Sequence, residues 1–252
     1  MNKKVSIIIP CFNDRPSISA ALESINQQNY EQIEILVIDD CSTETLRLSD
    51  ISLLSKHPIK LIRNEQNLGA NMAINKGFDA ASGEYICILA ADDVFPTGSI
   101  TQRVKLLSSG ADLVLGATEQ IFKNHSKIIR SVDLNSKAII NWLEQKDELR
   151  GINNATAMYT NNLRKKTGYR LERGAKGSHE DYEYVLRLFI NASKPISTDH
   201  VCYVYRMEEN STMYTEIKKD KTHWNVALAD LENEYREKIG KNCKLQDEEE
   251  KY

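Results

Sequence analysis

The strongest constraint in this chain is the run Gly83-Glu84-Tyr85-Ile86-Cys87-Ile88-Leu89-Ala90-Ala91-Asp92-Asp93, where an apolar stretch, Tyr85 to Leu89, leads into two adjacent carboxylates. An apolar strand of that length asks for a sheet covered on both faces. Two acids at its carboxyl end then sit where open α/β sheets bind ligands. Adjacent carboxylates repel each other and suit only water or the neighbourhood of a cation. In isolation the pair reads equally as a solvated acidic loop.

The flanking segments repeat the pattern. Val5 to Ile9 is a β-branched strand, Ile33 to Ile38 a second that ends at Asp39-Asp40, and Ile59 to Ile62 a shorter third. Pro16 is expected to open a helix with Ile18, Ala21, Leu22 and Ile25 on one buried face. A helix over 70–80 precedes Tyr85, and Thr97 is expected to cap a helix carrying Ile100, Val104 and Leu107 that stops at Gly110. Asp112 to Leu115 reads as a fifth strand. Strands alternating with helices imply βαβ units and an α/β, doubly wound, mostly parallel sheet.

Beyond residue 120 the alternation fails. Trp142 and Leu143 suggest a short helix, residues 180–191 carry a firm apolar stripe, and Trp224 to Tyr235 suggest a helix before the charged end "LQDEEEKY".

Composition narrows the class. A net charge of −3 argues against a general nucleic-acid binder. Five cysteines with no C-x-x-C pair suit a reducing compartment, so the expectation is a cytoplasmic protein. "MNKKVSIIIPCFNDR" imitates a signal peptide, but Pro10 and the polar residues after it favour a strand.

The loop after the first strand, "PCFNDRPS", has no glycine, which argues against a dinucleotide site and a P-loop. A diphosphate bound here would need its charge neutralised by a hard divalent cation on one or two carboxylates. Asp92 and Asp93, with Asp39 and Asp40 on a neighbouring strand end, supply such carboxylates.

Four segments in order, "VSIIIPCFND", "EILVIDDCSTE", "NLGANMAINKGFDAASGEYICILAADD" and "GSHEDYEYVLRL", resemble the inverting glycosyltransferases of family 2, which have the GT-A fold. The resemblance implies a Rossmann-like nucleotide-sugar-binding half over 1–115, an acceptor-binding and catalytic-base half over 116–214, and a charged helix and tail over 215–252. It implies a UDP-sugar donor, Mn²⁺ or Mg²⁺, and a glycan or lipid-linked glycan acceptor of bacterial surface polysaccharide, with peripheral contact at the inner membrane face. Pro10, Phe12 and Asn13 would flank the base and ribose, Asp40 would accept from the uracil ring, and Asn67 would lie near it. Asp40 could instead cap the following turn with Ser42.

Asp92 matches the metal-binding acid of the family's D-x-D motif, Asp93 would support the same metal site, and Ala90 stands where the first acid would be. Ala73-Ile74-Asn75 similarly lacks an arginine that relatives often carry. In "YVYRMEENST", Arg206 would hold the diphosphate, and Glu208 occupies the position of a metal-reaching histidine, or is an exposed acid beside Glu209. Asp181, second of the Glu180-Asp181 pair, would be the catalytic base, with Glu180 at the acceptor. Ser178-x-x-Asp181 could alternatively be a helix cap. The rival reading is a degenerate nucleotide-sugar-binding or nucleotidyltransferase-like domain without transferase activity.

Overall fold

Strand β1 (Val5–Cys11) can be apolar on both faces because helices cover both. Its odd-numbered residues, Ile7 and Ile9, join Val37, Cys87 and the helix residues Ile18, Leu22, Ile100 and Val104 in one core. Ile8 joins Leu36, Ile86, Ala73, Phe78, Val185 and Leu188 in the other. Each Val, Leu, Ile or Phe side chain among these, fully withdrawn from water, contributes about 1.5–3 kcal/mol. The computed structural model describes residues 3–131, 154–171, 180–206 and 237. The Trp142 and Trp224–Tyr235 helices, Ser178, His179 and Glu208 lie outside these residues.

In chain order β1 is followed by α1 (Ile18–Asn26), β2 (Ile33–Asp39), the single turn α2 (Leu48–Ile51), β3 (Ile59–Arg63), α3 (Ala70–Ala80), β4 (Tyr85–Ile88) and α4 (Ser99–Ser108). Then come β5 (Leu113–Ile121), β6 (Ser126–Ile129), β7 (Met158–Thr160), α5 (Asn161–Thr167), α6 (Glu180–Asn191) and β8 (Pro195–Arg206). The strands form one sheet in the order β3-β2-β1-β4-β7-β5-β6, with β8 also on β5. β3, β2, β1 and β4 run parallel. β7 enters antiparallel between β4 and β5, and β8 runs parallel to β5. The sheet is thus α/β and mostly parallel, as the alternating pattern implied.

Three local expectations need correction. Helix α4 is preceded by Gly98 at a φ of 83°, with no side-chain cap, so Thr97 is one residue too early. Helix α1 starts at Ile18 rather than Pro16, after a turn in which the Asp14 carbonyl accepts from the N–H groups of Ser17 and Ile18. The fifth strand extends to Ile121, because β8 pairs along it to Arg206.

Two glycines permit close approach. A Cβ on Gly77 would lie 2.4 Å from Ile8 Cγ2, beneath α3, and one on Gly116 would lie 2.3 Å from Cys202 Sγ, where β8 crosses β5. Cys11, Cys41, Cys87 and Cys202 are unpaired thiols. Among the described residues no helix is long and apolar enough to cross a membrane.

Candidate active site

Parallel strands deliver their carboxyl ends to one edge, and the acids gather there. Pro10, near the end of β1, is half-buried; beyond the strand Phe12 is exposed and Asn13 takes a φ of 59°. Asn13 laces this loop to the one after β2: its N–H donates to Ser42 Oγ at 2.9 Å and its Oδ1 accepts from the Thr43 N–H at 2.8 Å.

The two acids at the end of β2 have different tasks. Asp39 is wholly buried, accepts from the Ser42 N–H at 2.9 Å and pairs with Arg63. The cap on Ser42 therefore belongs to Asp39, not to Asp40 as its structural alternative supposed. Asp40, also buried, accepts from Asn64 Nδ2 at 2.7 Å and from the N–H groups of Leu68 at 3.0 Å and Gly69 at 2.7 Å. It fastens the loop that leads into α3. Asn67 is exposed in that loop, and its Oδ1 accepts from the Gly69 N–H at 3.2 Å.

After β4 the chain turns through Asp92, half-buried, and Asp93, buried. Asp93 accepts from the Tyr203 hydroxyl at 2.8 Å and from the Arg206 N–H at 3.0 Å, while the Ala90 N–H donates to Tyr203 Oη at 3.1 Å. The turn is thus clamped by β8. Burial, then the charge of Asp92, pushes the Asp93 carboxyl up to about 7. Asp14, which the sequence did not single out for this edge, is raised by burial, and the Asp92 charge adds to that rise. A carboxylate that disturbs two acidic neighbours is in a place that suits a cation.

The donor set fits a hard divalent ion. Among the described residues no group of three or more His, Cys, Asp or Glu could hold a metal unaided. A hard divalent ion can also be held by one or two carboxylates with phosphate oxygens completing its shell.

The base candidate reaches the same edge from the far side of β4. Because β7 is antiparallel to β4, Asn154, which precedes β7, lies at the carboxyl edge. Its Nδ2 donates to Asp181 Oδ1 at 3.2 Å. Asp181 stands in the first turn of α6, which Glu180 opens, and Arg170 pairs with the same Oδ1. The buried Arg170 also went unnoticed in the sequence. Its one signal is the pair Asn71 and Asn75, an i, i+4 amide face buried on α3.

Helices on both faces of a largely parallel sheet, with acids on its carboxyl edge, define a GT-A-type fold. The chain belongs to glycosyl transferase family 2, whose description matches residues 6–169. Over 231 residues it is 28% identical to the UDP-Glc:alpha-D-GlcNAc-diphosphoundecaprenol beta-1,3-glucosyltransferase WfgD of Escherichia coli, covering 91% of this chain and 87% of that one. Over 105 residues it is 30% identical to the amylovoran biosynthesis glycosyltransferase AmsB of Erwinia amylovora, covering 40% of this chain and 35% of AmsB. S. aureus TarS 1-349 in complex with UDP-GlcNAc superposes with a TM-score of 0.69 at 22% identity, over 83% of this chain and 60% of that one. The mannosyltransferase PcManGT of Pyrobaculum calidifontis, in complex with GDP-Man and Mn2+, gives a TM-score of 0.60 at 18% identity, over 84% and 59%.

Proposed function

We propose that this protein transfers a sugar from a UDP-sugar to a glycan or lipid-linked glycan acceptor, with inversion, in the synthesis of a bacterial surface polysaccharide. The observation that carries the reading is the shared edge. Asp92, beside Asp14, and Asp181, 72% exposed, come to it from different halves of the sheet. UDP as the carrier is supported by the donor named for WfgD and the ligand named for TarS, and a lipid-linked acceptor by the name of WfgD.

In this reading the loop of Pro10, Phe12 and Asn13, together with Asp40 and Asn67, frames the nucleoside. Asp40 acts on the uracil through the loop it fastens and through whatever acceptor capacity its three internal bonds leave. Asp92 would hold Mn²⁺ or Mg²⁺, as supported by the Mn2+ named for PcManGT. Asp93 braces Asp92, and Glu208 is proposed as a further oxygen ligand. When bound, the ion supplies Lewis-acid neutralisation of the charge growing on the departing diphosphate. Arg206, at the end of β8, adds a guanidinium suited to phosphate.

Asp181 takes the proton of the acceptor hydroxyl as that oxygen forms its bond to the anomeric carbon. The bond from that carbon to the UDP oxygen breaks, and the electron pair leaves with UDP. An oxocarbenium-like transition state of this kind needs a base on one face and a stabilised leaving group on the other. Glu180, which precedes the base in the chain, is proposed to contact the acceptor.

The test is UDP release from a panel of UDP- and GDP-sugars with and without Mn²⁺, paired with thermal shifts on the same panel. Release and a raised melting point with a UDP-sugar are expected. A protein shifted by no nucleotide sugar, or one that turns over only GDP-sugars, would remove the donor assignment.

A further inference from the structure

Asp181 is held by an arginine that solvent scarcely reaches. The Arg170 side chain is 1% exposed, whereas that of Asp181 is 72% exposed. An ion pair that served stability would shield both charges or cost nothing by leaving both in water. Here a guanidinium is taken out of water, at a cost, to meet a carboxylate that stays in it.

Arg170 is itself fixed from several sides. Its N–H donates to Asn75 Oδ1 and its carbonyl accepts from Asn75 Nδ2, both at 2.8 Å. Its Nε donates to Asn71 Oδ1 at 2.6 Å, and the guanidinium lies 5.0 Å from the centre of the Tyr184 ring. Nη2 pairs with Asp181 Oδ1, while the buried Nη1 has no partner. Asn154 Nδ2 adds its bond to the same Oδ1. Both contacts thus fall on one carboxylate oxygen, and no described residue donates to Oδ2.

We propose that Arg170 is the positioning residue of the base: with Asn71, Asn75 and Asn154 it locks the Asp181 carboxylate by Oδ1 and presents Oδ2 to the acceptor hydroxyl. The proposal rests on Asp181 being the base. A carboxylate free to rotate would present the proton acceptor only part of the time, and orientation of this kind is a large share of catalytic rate. Helix α3 gives the arrangement its frame. Its entry is set by Asp40 through Gly69, and its first two turns, through Asn71 and Asn75, hold Arg170.

The experiment compares Arg170→Ala, Asn71→Ala and Asp181→Asn in the full chain, with the nucleotide sugar that releases UDP in the panel and UDP alone as the binding probe. Arg170→Ala is expected to lower kcat about 30-fold, within the range that misplacement of a reacting group costs, with UDP affinity unchanged. Added guanidinium at millimolar concentration should restore part of that loss by filling the vacated site. Asn71→Ala is expected to lower kcat about 5-fold, again without moving UDP affinity. Unchanged kcat in both variants, alongside an inactive Asp181→Asn, would overturn the positioning role and leave the base intact. Loss of UDP affinity in step with kcat, without rescue, would overturn it too, by showing a structural effect. If Arg170→Ala does not fold, Asn71→Ala decides, and unchanged kcat there overturns the proposal. Full turnover by Asp181→Asn would instead remove the base, and the proposal with it.

Discussion

The two sides of the sheet hold their acids in different ways. On the donor side, Asp39 and Asp40 sit on a parallel strand end, and backbone N–H groups of the next loops are among their main partners. On the side of the proposed base, Asp181 stands in the first turn of a helix and is held by the side chains of Asn154 and Arg170. Backbone donors are fixed by the fold, so the donor edge is preorganised once the strands pair. A side-chain lattice has rotamers to lose and can be retuned by single substitutions. The same edge therefore joins a rigid frame, proposed to take the nucleotide, to an adjustable carboxylate, proposed as the base.

The comparison can be broken first at the carboxylate proposed to hold the metal. Asp92→Asn should lower transfer on the order of 1,000-fold while the melting curve stays near wild type, as loss of Lewis-acid stabilisation demands. Turnover undiminished in this variant, or in wild type with excess chelator, would detach the donor edge from metal. On the base side, Asp181→Asn should lower transfer about 100-fold, the usual worth of a general base, with UDP-sugar affinity retained. It also leaves the buried Arg170 without its counter-charge. Some thermal stability should go as well, and stability lost with turnover intact would make Asp181 a cap alone.

Stability measurements sharpen the contrast further. Asp40→Ala strands the N–H groups of Leu68 and Gly69 and should cost about 2 kcal/mol in urea unfolding. Gly77→Ala drives a methyl into Ile8 on the donor side and should cost about 1.5 kcal/mol. A cost near zero would show that α3 is less tightly seated than Asn71 and Asn75 require. The smallest effect concerns His57, just before β3, whose pKa is lowered by burial and by Lys56. Below the unfolded-state value of about 6.5 the unfolded chain binds the extra proton, so stability falls as pH drops through that window. His57→Gln should flatten that limb of a melting-temperature profile between pH 7.5 and 5.

Legibility in the sequence followed the same division. β1, β2 and β4 are mostly apolar runs, β2 and β4 are followed by paired acids, and period and placement can both be read from neighbours. β7 is three residues long, and its insertion between β4 and β5 is decided by pairing across more than forty positions to either side, which no local pattern carries. Arg170 in "GYRLERGAKG" resembles solvated loop, because burial of an arginine depends on distant Asn71 and Asn75. Asp14 was visible as a residue, but its proximity to Asp92 depends on β1 lying beside β4.

The clamp between Asp93 and β8 also has a meaning in time. The Arg206 N–H and the Tyr203 hydroxyl that hold the acidic turn lie 113 and 110 positions downstream of Asp93. On a ribosome the first four strands can pair long before those residues emerge. Until they do, the Asp92 turn is a loop on a half-built sheet, with its carboxylates in water. The nascent chain can thus hold the proposed nucleotide frame while the proposed metal site is still unset, and closure waits on the entropically costly pairing of β8. Competence would arrive as a late event of synthesis, timed by the strand that also delivers Arg206.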